Sequence, residues 1–183
     1  MVDNKKVINQ TRYEALIQEG FPEGCLSDVY VDGVVITKLP QNIEIRNTRF
    51  FECRFKDIAV ETLTLNECVV SDGVFVNIKT DELSLHGATV YGTLFTGLSI
   101  EKMDMSQATF RKSSMRDGDI MEMNLLGATL DSMYFYRMAA RSVHGIEQAR
   151  FTMGGATYQE VDNYRRLVKE TLMPMYQKQD KVR

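Results

Sequence analysis

The chain has no tryptophan, only three prolines, three cysteines and two histidines, and each scarcity removes a class of protein. Cys25, Cys53 and Cys68 form no C-x-x-C pair, and His86 and His144 add too few ligands for a zinc framework, so no metal is expected. No apolar run approaches the length of a membrane span, and Lys5 and Lys6 are not followed by the apolar core of a signal peptide. The expected setting is therefore cytoplasmic. Glycine-rich phosphate loops, nucleophile elbows and metal-ligand clusters are also missing. No catalytic residue and no cofactor are expected, and the chain reads as a non-enzyme. A net charge of −3 gives no basic excess for direct nucleic-acid binding.

What is present is a period of five. Between Gln41 and Ala140 the fifth positions are Ile45, Phe50, Phe55, Val60, Leu65, Val70, Phe75, Thr80, Leu85, Val90, Phe95, Ile100, Met105, Phe110, Met115, Ile120, Leu125, Leu130, Phe135 and Ala140. All but Thr80 and Ala140 are large and apolar. Five fits neither the 3.6 of a helix nor the 2 of a strand, which points to a repeat architecture. At 183 residues and 44% hydrophobic content, the chain is long enough for one domain with a substantial core.

In rows of twenty, the residues two before each centre fall into four columns. The first holds Ile43, Leu63, Leu83, Met103 and Met123; the second Thr48, Cys68, Ala88, Ala108 and Ala128. The third holds Cys53, Gly73, Thr93, Ser113 and Met133; the fourth Ile58, Ile78, Leu98, Gly118 and Met138. Each column resembles itself, so the true repeat is one coil of four five-residue sides. Two residues of each side face inward, and successive coils stack about 4.8 Å apart through parallel hydrogen bonds. Cys53 and Cys68, at inward positions, read as core thiols.

The residue three before a centre is Asn, Asp or Gly at Asn47, Asp57, Asp72, Asn77, Gly87, Gly92, Gly97, Asp117 and Gly127, types that tolerate a left-handed turn. Thr62, Glu82, Lys102 and Glu122, which lead into side one, have no such preference. Side one is accordingly expected to be the one true parallel sheet, with the other three sides turning more tightly.

The ends follow different patterns. Residues 1–24 form an N-terminal helical cap, with a capping box from Thr11 to Glu14 and a glycine stop at Gly20. Residues 25–157 form the solenoid, regular over 41–140, with register slips at Leu39-Pro40 and again beyond Ala140 towards Ile146 and Phe151. Residues 158–183 are a C-terminal helix and tail, opened by a capping box from Thr157 to Glu160 and ended or kinked at Pro174.

These columns resemble the pentapeptide-repeat family, whose motif is Ala-(Asp/Asn)-Leu-X-X. Ala88-Thr89-Val90, Ala108-Thr109-Phe110 and Ala128-Thr129-Leu130 come nearest to it. The chain departs from the family in having Thr where Asp or Asn is usual, and bulky residues two before the centre in columns one and four. The resemblance implies an all-β fold, a right-handed quadrilateral β-helix with capping helices. Acidic faces in that family are linked to imitation of DNA, notably in proteins that bind DNA gyrase and protect it from quinolones. Those relatives carry a projecting loop, whereas the register from Ile45 to Ala140 has no insertion.

Three candidate surfaces follow. Outward positions of side one gather Glu44, Glu61, Asp81, Glu82, Glu101, Asp104 and Glu122 against Arg46 and Lys102, with Glu61, Asp81 and Glu101 in one column. This face is either a solvated surface or a mimic of nucleic acid. In the second case the protein inhibits or protects a nucleic-acid-handling enzyme, in a phage or mobile-element defence setting or a topoisomerase-protecting one, by occupying its DNA site. Side three places Phe51, Val74, Tyr91, Leu94 and Tyr134 outward, beside Val76 and Tyr136. It either recruits a protein partner, as a structural scaffold would, or lies under a terminal segment. The C-terminal stripe Val161, Tyr164, Val168, Leu172 and Met175 exceeds what capping requires, and pentapeptide-repeat relatives dimerise through such helices, so a homodimer is expected there.

Overall fold

A side chain that recurs every fifth residue can point inward throughout only if the backbone bends between repeats. In the computed structural model, which describes residues 7–21 and 24–172, it does so. The chain is a β-solenoid of about 7 turns with a helix at each end. From Ile43 to Ile120 every centre is buried, and so is every residue two before a centre apart from half-buried Gly118.

In chain order the elements are β1 (Val7–Ile8), α1 (Gln10–Glu19), β2 (Cys25–Ser27), β3 (Tyr30–Asp32), β4 (Val35–Ile36), β5 (Asn42–Arg46) and β6 (Arg49–Phe51). There follow β7 (Arg54–Asn66), β8 (Val69–Ser71), β9 (Val74–Ser84), β10 (Thr89–Tyr91) and β11 (Leu94–Asp104). The last coils hold β12 (Thr109–Arg111), β13 (Ser114–Asn124), β14 (Thr129–Asp131), β15 (Tyr134–His144) and β16 (Arg150–Thr152), and α2 (Tyr158–Leu172) closes the chain. All strand pairing is parallel.

Two sheets result, and they correct the expectation of a single true sheet on side one. The short strands β6, β8, β10, β12 and β14 stack as side two, whereas β7, β9, β11, β13 and β15 each run through sides three, four and one. A single left-handed residue is enough to bend the chain while its neighbours stay in register: Thr96 pairs with Arg116 and Leu98 with Gly118 on either side of Gly97. The ladders break only where backbone groups are diverted. At the corner leading into side two, Ala88 and Ala108 donate to Leu85 and Met105 in local turns (3.0 and 3.2 Å). At the corner leading into side three, the Thr93 N–H goes to the Ser113 hydroxyl (3.2 Å).

Three corners of each coil carry a left-handed residue, and all nine positions expected from the sequence do so. Glu52, Glu67, Gln107, Lys112, Ser132 and Arg137 adopt it as well, although their side chains do not favour it. No positive φ occurs at Thr62, Glu82, Lys102 or Glu122, in agreement with the sequence reading of that corner.

The core is a set of stacked columns. Phe75 lies between Phe55 and Phe95, with ring centroids 4.3 and 4.6 Å away and interplanar angles of 5° and 16°. Such stacking adds about 0.5–1.5 kcal/mol per pair beyond area burial. Phe95 is wholly inside. Small polar residues satisfy the corners: Thr93 and Ser113 donate to the carbonyls of Tyr91 and Arg111 (3.0 and 2.9 Å) and accept the N–H groups of Gly73 and Thr93 (3.4 and 3.2 Å). Thr80, the polar exception among the centres, bonds the carbonyls of Glu61 and Glu82 (2.8 and 2.9 Å).

Both register slips occur as expected. Val31 pairs with Phe50 and Leu130 with Phe151, steps of 19 and 21 residues, whereas Phe55 pairs with Phe75. The N-terminal cap of α1 is a correction: Asn9, in extended conformation, accepts the Arg12 N–H (3.0 Å), and Thr11 lies within the first turn. Gly20 ends the helix, its N–H donating to Leu16 (2.9 Å). The Tyr13 hydroxyl ties α1 to the first coil, accepting from Thr37 and Lys38 (3.1 and 3.0 Å) and donating to the Lys38 carbonyl (2.7 Å). At α2 the capping box forms: the Glu160 carboxylate accepts the Thr157 N–H at 2.7 Å, and the Thr157 hydroxyl accepts the Glu160 N–H at 3.4 Å. The Thr157 N–H and the Thr157 hydroxyl, which both donate to it, hold the Glu160 carboxyl below its ordinary value. Pro174 and Met175 lie outside the described residues.

Candidate partner-binding faces

Pairing in register aligns the outward residues of side one into rows. Glu82, Lys102 and Glu122 form one row, and Thr64, Ser84, Asp104 and Asn124 another. Glu61, Asp81 and Glu101 occupy the bend between sides four and one, one per coil, and all three are exposed.

The seven acidic candidates do not act alike. Glu44 is held by Arg46 on its own strand. Asp104 accepts the Ser106 N–H at 2.9 Å and the Asn124 side-chain amide at 3.0 Å, so it helps to shape the corner beyond it. The Glu61 carboxylate accepts only the Asn42 side-chain amide among the described residues, at 3.1 Å. Among the described residues, Glu61, Asp81, Glu82, Glu101 and Glu122 have no cation within ion-pair distance. The structure thus divides the predicted face into a five-carboxylate corner and two acids committed to the fold. The column ends at Met121 and Arg141, both exposed.

Side three is less continuous than its sequence suggests. Val35, Arg54, Val74, Leu94, Ser114 and Tyr134 form one row, and Lys56, Val76, Thr96, Arg116 and Tyr136 the next. Ser114 and Arg116 therefore separate Val74, Val76 and Leu94 from the two tyrosines. Phe51 and Tyr91 belong to the side-two row at the adjoining corner, with Ser71 between them. Tyr91, Tyr134 and Tyr136 are 42%, 54% and 62% exposed, and Phe51 is 36% exposed. Among the described residues the terminal helices reach this surface at its ends, where the Gln10 side chain of α1 accepts the Val35 N–H at 2.9 Å and the Tyr164 ring of α2 lies 6.4 Å from Tyr134.

Sequence reasoning missed the charges of this surface. Lys112 lies 5.8 Å from the Tyr91 ring centroid, and Arg116 stands between Thr96 and Tyr136 in its row. Their coil neighbours pair internally, Arg111 with Asp131 at 3.8 Å and Arg137 with Asp117 at 2.5 Å. Lys112 and Arg116 have no such partner among the described residues. The available signal was the twenty-residue row itself, followed for cations as well as for apolar residues.

Four of the five residues of the C-terminal stripe lie within the described residues. Tyr164, Val168 and Leu172 are buried against the last coil, Val161 is half-buried, and Lys169 pairs with Glu147 at 2.7 Å. Closing the solenoid therefore engages Tyr164, Val168 and Leu172 of the stripe. The exposed large apolar or aromatic residues of the helix are Tyr158 and Leu167. Cys53 and Cys68 are buried, and burial pushes both thiols up, Cys68 to about 11, which keeps them protonated and inert. Among the described residues no group of three His, Cys, Asp or Glu side chains is placed to hold a metal ion, and no helix is long and apolar enough to cross a membrane.

These features define a class: a capped parallel β-solenoid whose opposite sides carry unlike surfaces. Comparison with known proteins adds no closer identification, since no family model and no curated protein sequence matches the chain.

Proposed function

We propose that this is a non-enzymatic protein that inhibits or protects a nucleic-acid-handling enzyme by occupying its nucleic-acid site with the acidic corner. The observation that carries this reading is the column Glu61, Asp81 and Glu101, exposed carboxylates one above another with no cation within ion-pair distance among the described residues. Like charges about 4.8 Å apart oppose folding, and a cationic partner relieves that repulsion. With Glu82 and Glu122 the corner holds five carboxylates along about 14 Å, a length over which one DNA strand has about four phosphates. The stacked backbone fixes their spacing, as a duplex fixes that of its phosphates. The pentapeptide-repeat resemblance implies the same kind of target.

The test is displacement of a labelled duplex from DNA gyrase and from a restriction endonuclease. Wild-type protein is expected to displace duplex from at least one of them, less effectively as salt rises. Glu61→Gln with Asp81→Asn and Glu101→Gln is expected to lose displacement while keeping its β spectrum. Equal displacement by the triple variant sinks the assignment to this corner.

A further inference from the structure

Side three lies opposite side one, and its upper half has the reverse chemistry. Tyr91, Leu94, Lys112, Arg116, Tyr134 and Tyr136 converge there within three successive coils. In the central row Ser114 stands between Leu94 and Tyr134, so a small side chain between two large ones leaves a shallow apolar dip. Lys112, at the corner before β13, and Arg116, just ahead of the bend at Asp117, flank it, and both are exposed. Every other cation of these coils on this side is matched by a carboxylate, Arg111 by Asp131 and Arg137 by Asp117. Aromatic residues and arginine around an apolar centre are the composition of an interaction hot spot.

We propose that this surface binds an acidic protein segment with an apolar anchor. The anchor, a leucine or aromatic side chain, sits in the dip over Ser114 between Leu94 and Tyr134, and flanking carboxylates meet Lys112 and Arg116. Here β10 to β13 are already paired on both sides, and β15, the edge strand, packs against α2, so the segment is held by side chains and does not extend the sheet. Aliphatic Leu94 and Val74 beside the dip favour a protein side chain over a stacked base. This surface is independent of the acidic corner: it recruits a second partner of opposite charge, which would make the protein a bridge between two others.

A library of random peptides displayed on phage is panned on the wild-type protein, with counter-selection on Lys112→Glu with Arg116→Glu. The enriched peptides are expected to combine Asp or Glu with Leu, Phe or Tyr. A synthetic enriched peptide is expected to bind Lys112→Glu with Arg116→Glu, and separately Tyr134→Ser with Tyr136→Ser, about tenfold or more weakly than wild type. Asp81→Asn with Glu101→Gln on the opposite side should leave its affinity unchanged. Far-UV spectra confirm that each variant folds. Enrichment of basic peptides, or of none beyond the counter-selected background, overturns the proposal. So does a peptide indifferent to both variants, or an oligothymidylate strand bound more tightly at the same residues. Salt-reversible self-association abolished by Lys112→Glu would instead assign the surface to a second copy, and likewise overturns it.

Discussion

The hydroxyl of Tyr164 accepts the Met133 N–H at 2.8 Å and donates to the Met133 carbonyl. In the preceding coils the equivalent N–H groups of Gly73 and Thr93 are met by the hydroxyls of Thr93 and Ser113. The cap thus supplies from a tyrosine the hydroxyl that a further coil would have supplied. Tyr164→Phe keeps the packing and leaves both Met133 groups buried and unmatched. A loss of about 1–3 kcal/mol is expected, measured by urea unfolding, together with faster hydrogen exchange at Met133.

Val168→Asp with Leu172→Asp separates capping from dimerisation. Both residues are buried within the chain, so the double variant should lose at least about 3 kcal/mol and expose the last coil. Sedimentation equilibrium and urea unfolding on the same samples decide the matter. A variant as stable as wild type but half its mass would assign the stripe to a dimer contact.

Gln107 is held at φ 58°, where the neighbouring coils have Gly87 and Gly127. Gln107→Gly removes left-handed strain of about 1–2 kcal/mol and adds about 0.5–1 kcal/mol of unfolded-state entropy. A net gain of up to about 1 kcal/mol is expected in thermal or urea unfolding. A loss would mean that the Gln107 side chain contributes more at this corner than its strain removes.

The Cys68 thiol is raised to about 11 by burial, above the ordinary thiol value of 9.0. Below pH 9 it is protonated in both states and its contribution to stability is complete. Above that value the unfolded chain releases its proton first and binds fewer protons than the folded one, so stability falls as pH rises towards 11. Tyr164 and Cys53, also raised by burial, add to the same decline. Cys68→Ala, which matches Ala88, Ala108 and Ala128 in its column, should make the decline shallower by as much as about 2 kcal/mol. Urea unfolding at pH values on either side of 9 measures it; identical slopes would exclude the thiol as a contributor.

The inward pattern was legible because side-chain size alternates with position, and a residue such as Phe75 has nowhere else to go. The corners were legible where Asn, Asp or Gly announces a left-handed turn. Glu52, Lys112 and Arg137 bend equally well without announcing it, since the stacked coils impose the conformation on them. For the same reason the two-sheet organisation was hidden: it depends on where the N–H groups of Ala88 and Thr93 go, which no residue type specifies. Among the acidic residues, position along the row was readable from the sequence. The engagement of Asp104 with Asn124 one coil away was not, because it depends on side-chain reach. Asn9, the residue that caps α1, was missed because Thr11 and Glu14 match the Thr-x-x-Glu pattern of a capping box.

The one-coil step of twenty residues, kept from Phe55 to Phe75 to Phe95, makes length a property separate from fold. Each coil touches only the ones before and after it, so a tandem duplication of residues 81–100 would introduce one more Asp81 and Glu82 and one more Phe95 into unchanged surroundings. The molecule is in that sense a ruler graduated in rungs of about 4.8 Å. Its reach along a partner can change by a whole rung through a single in-frame event, with no corner, cap or core residue redesigned.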